Sequence, residues 1–162
     1  MRIHEIKLYK FDELSEESKQ KAVERLSDIN VIAEWWEGVY LDAEMIGLKI
    51  TSFDTYRKDI TGHITDDLEH VIKAIEINHW NGDSTALADE YKLKLAEIHE
   101  TVLDDDMPDA VDELASEFEN ELLEIYLSAL ISEYNYLTTD KAIIETIEAN
   151  EYEFTKDGNP YF

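Results

Sequence analysis

The sequence predicts an α+β fold, mostly helical, with a small antiparallel or mixed sheet packed against a long central helix. Three observations predict it. Short segments of alternating polarity lie near both ends of the chain and over 48–64. Long stretches between them carry apolar residues at helical spacings of three and four. The order runs strand, helix, strands, several helices, strand, which is not the regular alternation of a parallel α/β sheet. With 162 residues the chain falls within the usual size of one domain, about 100–200. Residues 1–162 are therefore read as a single domain, with Leu103–Pro108 as the one candidate hinge. A chain of this length buries roughly 70% of its unfolded surface, and a hydrophobic share of 44% supplies the core.

The elements follow in order. Ile3–Phe11 alternates apolar and polar residues and reads as an edge strand. Ser15 is placed to cap a helix whose first turn holds Glu16 and Glu17, where the helix dipole favours carboxylates. Ala22, Leu26, Ile29, Ala33, Trp36, Tyr40 and Ala43 repeat at spacings of four and three. They predict one helical stripe to about Ile46, with a local break admitted near Asn30 and Gly47 as the stop. Leu48–Tyr56 is a second strand, Arg57-Lys58-Asp59 a turn, and Ile60–Ile64 a third strand. Residues 66–80 return to helical spacing through Leu68, Val71, Ile72, Ile75 and Trp80, and Asn81-Gly82-Asp83 breaks it. Another helix is expected from about Ser84 to Leu103.

Asp104-Asp105-Asp106-Met107-Pro108 interrupts the pattern, with Pro108 in a helix-starting position. From there to Tyr136 two apolar stripes run side by side. One holds Val111, Leu114, Phe118, Leu122, Ile125 and Ala129, and the other Leu123, Tyr126, Leu130, Tyr134 and Leu137. Two stripes mean packing on two sides, as befits a central helix. Thr138 or Thr139 caps a short helix through Ala149. Glu151–Thr155 is a last strand, followed by a turn at Lys156-Asp157-Gly158-Asn159.

Charge excludes several function classes. The chain has 39 Asp and Glu against 14 Lys and Arg, a net of −25. Direct binding to nucleic acid or to an anionic membrane would set like charge against like. The absence of cysteine removes disulfides, cysteine-ligated zinc, iron–sulfur clusters and thiol nucleophiles. No apolar run approaches membrane-spanning length. Met1-Arg2-Ile3-His4-Glu5 lacks the apolar segment of a secretory signal, so a cytoplasmic location is expected. No serine-nucleophile elbow, phosphate-binding loop or dinucleotide fingerprint is present. Glu76-x-x-His79 has metal-ligand spacing, and Asp67-x-x-His70 repeats it on the same helix. A carboxylate-bridged centre needs further partners from other helices, so neither a metal nor another cofactor is expected, nor an enzyme.

The charge is concentrated. Glu97–Glu153 holds 18 carboxylates and one lysine, Lys141, a net of −17. On the helix from Pro108, Asp109, Asp112, Glu113, Glu117, Glu119, Glu121 and Glu124 place seven carboxylates over about 22 Å of axis. That is one per roughly 3 Å, against a phosphate about every 3.4 Å along one DNA strand. Asp104, Asp105 and Asp106 extend the patch. These ten residues are the candidate partner-binding set. The expected partner is a basic nucleic-acid-binding protein. A second candidate group is aromatic. Trp35, Trp36 and Tyr40, on one and a half turns of the first helix, could stack on a flat ligand, with Arg57 and Lys58 as phosphate contacts.

Two stretches resemble a family of small acidic bacteriophage and prophage accessory proteins, some of them labelled antitoxin-like. The first is Tyr9-Lys10-Phe11-Asp12-Glu13-Leu14-Ser15 continuing to Lys21-Ala22, then Trp35-Trp36, Val39-Tyr40, Asp42-Ala43 and Ile46–Ile50. The second is Tyr136-Leu137-Thr138-Thr139-Asp140 through Ile143–Asn150, with Tyr152-Glu153-Phe154-Thr155 and Asp157-Gly158. Together they cover about half of the chain. The resemblance implies a phage accessory protein and assigns no site residues. Joined to the charge, it leads to a non-enzymatic inhibitor of a host defence protein, an acidic nucleic-acid mimic of anti-CRISPR or anti-restriction type. Two alternatives stay open: a sequestrant of a nucleotide immune signal at the aromatic group, and an antitoxin-like neutraliser of a basic toxin.

Overall fold

The computed structural model describes residues 1–78 and 81–162; His79 and Trp80, which the sequence pattern assigns to a metal spacing and a helix end, lie outside the described residues. The fold is α+β, with six α-helices and two small antiparallel sheets among the described residues. The chain divides into two compact units, one of Met1–Trp35 with Glu133–Phe162 and one of Trp36–Ser132. Of the candidate hinge, residues 104–106 form a turn and residues 107 and 108 already belong to the following helix, all inside the second unit.

The first unit begins with β1 (Tyr9–Lys10), a short 3-10 turn (Phe11–Glu13) and α1 (Glu16–Arg25). The Ser15 hydroxyl caps α1 by accepting from the Ser18 amide at 3.2 Å. From Glu133 onward the unit continues with α6 (Asp140–Ala149), β4 (Glu153–Phe154) and β5 (Pro160–Tyr161). The strands pair antiparallel in the order β1-β4-β5, with Tyr9 opposite Phe154. Phe11, Ala22, Val23, Ile143, Ile147 and Phe154 make its core, where the Phe11 and Phe154 rings meet edge to face at 6.2 Å.

The first strand is shorter than its alternation predicts. Residues 1–8 carry no regular structure, and Ile3 and Ile6 are exposed. Alternation makes a strand only where a partner offers a ladder, and β4 offers two residues. The chain then turns so that Phe11 enters the core. The predicted last strand contracts for the same reason.

The single stripe predicted to Ile46 resolves into α1 and α2 (Glu37–Met45), separated by turns over 26–36. The break is wider than a local fault at Asn30. Asp, Asn and β-branched residues crowd 28–32 and are poor helix formers. Asn30 also spends its side chain on tertiary bonds, donating to the Leu137 carbonyl at 2.9 Å and accepting from the Thr146 hydroxyl at 2.6 Å.

The second unit holds α2, the hairpin β2 (Leu48–Asp54) and β3 (Asp59–Ile64), α3 (Leu68–Asn78), α4 (Gly82–Thr101) and the greater part of α5 (Met107–Leu137). Gly47 stops α2 at φ +86°, in the left-handed region that glycine tolerates. Asn81 caps α4, its side chain accepting from Asp83 and Ser84 amides. A bulge at Thr51 shifts the hairpin register between Ile50 and Ser52. Gly62 lets the hairpin lie close to α5: a β-carbon there would overlap the Lys49 carbonyl oxygen and sit 3.0 Å from Leu123 Cδ2. The inward face of α5 carries Leu114, Phe118, Leu122, Leu123, Tyr126 and Leu130, all buried. Among the described residues no helix is long and apolar enough to cross a membrane.

Candidate partner-binding face

Helix α5 sets the candidate site. Its 31 residues contain eight carboxylates and no Lys, Arg or His. At 100° per residue, Glu113, Glu117, Glu121 and Glu124 fall within an arc of about 80°, away from the buried stripe, over about 16 Å of axis. Asp104, Asp105, Asp106, Asp109 and Asp112 are exposed at its N-terminal approach.

Two of the ten candidate carboxylates are tied into the fold. Glu119 is half-buried and its Oε2 accepts from the Ile64 amide at 3.0 Å, holding the end of β3 against α5. Glu121 accepts from the Tyr91 hydroxyl of α4. Without Glu119, six carboxylates remain over about 22 Å, one per roughly 4 Å. That density is a little below the 3.4 Å axial phosphate spacing of a DNA strand.

The neighbouring helix adds charge to the same face. Tyr91 is 2% exposed, and its ring meets Phe118 at 5.2 Å. Burial pushes the Tyr91 hydroxyl well above its ordinary range. The hydrogen bond and charge of Glu121 push the same way, as do the charges of Glu117 and Glu90. Three carboxylates from two helices thus converge around one phenol. Lys94 reaches this cluster, its Nζ 4.6 Å from the Tyr91 ring centre and 3.2 Å from Glu90. Between α4 and α5 lies a shallow, open groove bordered by Asp83, Glu90, Glu121 and Glu124 over Ala86, Leu87 and Ile125. Sequence reasoning centred on α5 missed Asp83 and Glu90. Their seven-residue separation around Ala86 and Leu87 was the available signal.

The aromatic group is arranged differently from its expectation. Trp35 lies in the turn before α2, and Trp36 is the N-cap residue of that helix, so the three rings do not share one helical run. Trp35 packs on Tyr134 at 5.6 Å within the first unit. Trp36 and Tyr40 both make T-shaped contacts with Phe53 on β2, at 5.7 and 6.0 Å, within the second. Burial raises the Tyr40 hydroxyl above its ordinary range. Arg57 and Lys58 are exposed at the hairpin tip, where Asp54 accepts from the Tyr56 and Arg57 amides. Lys58 adopts a left-handed φ of +58°.

Asp66, Asp67 and His70 gather at the start of α3, with His70 Nδ1 at 3.2 Å from Asp66 and 3.6 Å from Asp67. All three are exposed; Asp66 and Asp67 lie just before α3 and His70 in its first turn, so the grouping is local to the sequence.

Comparison of the chain with family models, with curated proteins and with solved structures gave no match.

Proposed function

We propose that this protein is a non-enzymatic inhibitor that docks the acidic face of α5 and α4 on a basic, nucleic-acid-binding surface of a host defence protein. The observation that supports this reading is the one-sided stripe of Glu113, Glu117, Glu121 and Glu124 on a helix with no cation of its own. A surface built to neutralise phosphates holds counterions or displaces them, and a rigid row of carboxylates releases ions from it as nucleic acid does. The stripe also repels itself in the free protein, and a cationic partner removes that cost. A phage-encoded anti-CRISPR or anti-restriction role is the biological form of this chemistry.

The test is capture from a bacterial lysate by the tagged chain, followed by challenge with duplex DNA. A nucleic-acid-binding protein should be retained at low salt and released by added salt or DNA. A variant with Asp109, Asp112, Glu113, Glu117 and Glu124 changed to Lys should keep its helical circular dichroism and lose the partner. Retention of the partner by that folded variant would refute mimicry.

A further inference from the structure

We infer that the groove between α4 and α5 receives a cationic amphipathic helix of the partner, an inference that rests on the acidic-face reading and narrows its occupant. The wall formed by α4 reads Asp83, Ala86, Leu87, Glu90: carboxylate, apolar pair, carboxylate, at i, i+3, i+4 and i+7. Those positions share one helix face, and the two carboxylates stand about 10 Å apart along the axis, two turns of helix. The opposite wall supplies Glu121 and Glu124 with Ile125. The floor is graded, with Leu87 buried, Ile125 half-buried and Ala86 exposed.

Charge alone would suffice to imitate a phosphate backbone. An apolar floor adds nothing for a strongly hydrated lysine head. It does add affinity for an aliphatic side chain, or for the methylene stem of a cation whose head reaches the rim. The occupant that meets both features carries Lys or Arg at i and i+7 with a leucine-like anchor midway. A helix has that two-turn period, and an amphipathic helix laid in a groove is an established recognition mode. Glu90 and Glu121, which both act on the Tyr91 hydroxyl, bring carboxylates of both walls to one end of the groove. Lys94, 3.2 Å from Glu90, is the cation beside that end.

The test is titration calorimetry of the intact chain with two helical peptides of equal charge. Both carry lysines seven residues apart; one has leucine midway, the other alanine. The leucine peptide should bind about tenfold more tightly. That advantage should vanish in A86N/I125N, which keeps every carboxylate, and both peptides should be lost in D83N/E90Q/E124Q. A86N alone, at an exposed position, serves if the double variant unfolds. Equal binding of the two peptides, or an advantage undiminished by the floor variant, overturns this inference. The acidic-face reading stands in that case if the rim variant still abolishes both. Binding of neither peptide at low salt overturns the two together.

Discussion

Residues 36–132 carry 24 carboxylates against 6 Lys and Arg, a net of −18. The other unit, 1–35 with 133–162, carries 15 against 8, a net of −7. Both bury an aromatic core, Phe11 with Phe154 in one and Tyr91 with Phe118 in the other. The difference lies in what the surface does with its charge. In the first unit, Lys19 and Lys21 pair with Glu16 and Glu17 along α1, and Lys10 bonds the Glu151 carbonyl. In the second, half of the carboxylates fall between Glu97 and Glu124, a stretch without Lys or Arg. Exposed pairs contribute about 0–1 kcal/mol each, so stability does not require the dispersal seen in the first unit or forbid the concentration seen in the second. The concentration is the feature on which the proposal of a cationic partner rests.

The largest expected effects come from one glycine in each unit. Gly158 has φ +85°, and a β-carbon there would overlap the Ser18 carbonyl. G158A should cost about 2–4 kcal/mol in urea denaturation, combining backbone strain with overlap. G62A, which forces β3 from Lys49 and Leu123, should cost about 1–3 kcal/mol. Hydrogen exchange should locate the first loss in 1–35 and 133–162 and the second in 36–132. Loosening of both units by either change would show one cooperative body and dissolve the contrast.

Alkaline pH should act on the second unit. Tyr91 and Tyr126 are both raised above the ordinary tyrosine range, chiefly by burial, with Glu121 adding to the first and Asp42 to the second. The folded state keeps these protons while the unfolded chain loses them near pH 10. The unfolded state then binds fewer protons, so stability is full below about pH 10 and declines as pH rises toward the folded values. Absorbance at the tyrosinate band should show these phenols ionising only together with loss of structure. Their smooth ionisation in a protein of unchanged ellipticity would contradict the burial.

Smaller effects separate carboxylates that look alike in the sequence. E119A and E121A should each cost about 1–2 kcal/mol, because each leaves a donor, the Ile64 amide or the Tyr91 hydroxyl, without its acceptor. E113A and E117A should change stability by no more than about 0.5 kcal/mol, since alanine favours helix and relieves repulsion. Reversal of that order in thermal melts would mean that the stripe is structural rather than free for a partner. The smallest effect is that of salt. Added salt should stabilise the free protein by a few tenths to about 1 kcal/mol through screening, with exchange protection gained mainly in 36–132. Equal gains in both units would mean that the excess charge does not act locally.

Local chemistry was legible in the residues alone. The net charge, the Ser15 cap, a cap at Thr138 or Thr139 (Thr139 in the structure), the Gly47 stop, the hairpin alternation over 48–64 and the buried stripe of α5 depend on residues a few positions apart. Interactions over such distances are written into spacing. What spacing could not tell was where a long-range partner would be present. Strand length at Tyr9–Lys10 was set by the two residues of β4. The split of the Ala22–Ala43 stripe was held by Asn30 reaching Leu137 and Thr146. Adjacent Trp35 and Trp36 were sent to different rings, Tyr134 and Phe53. Glu119 was drawn from the acidic row by the Ile64 amide, 55 positions away, and Glu121, still exposed in that row, was tied to the Tyr91 hydroxyl, 30 positions away. A carboxylate has the same charge and helix propensity whether it faces water or a buried donor, and that donor is brought to it only when the chain packs.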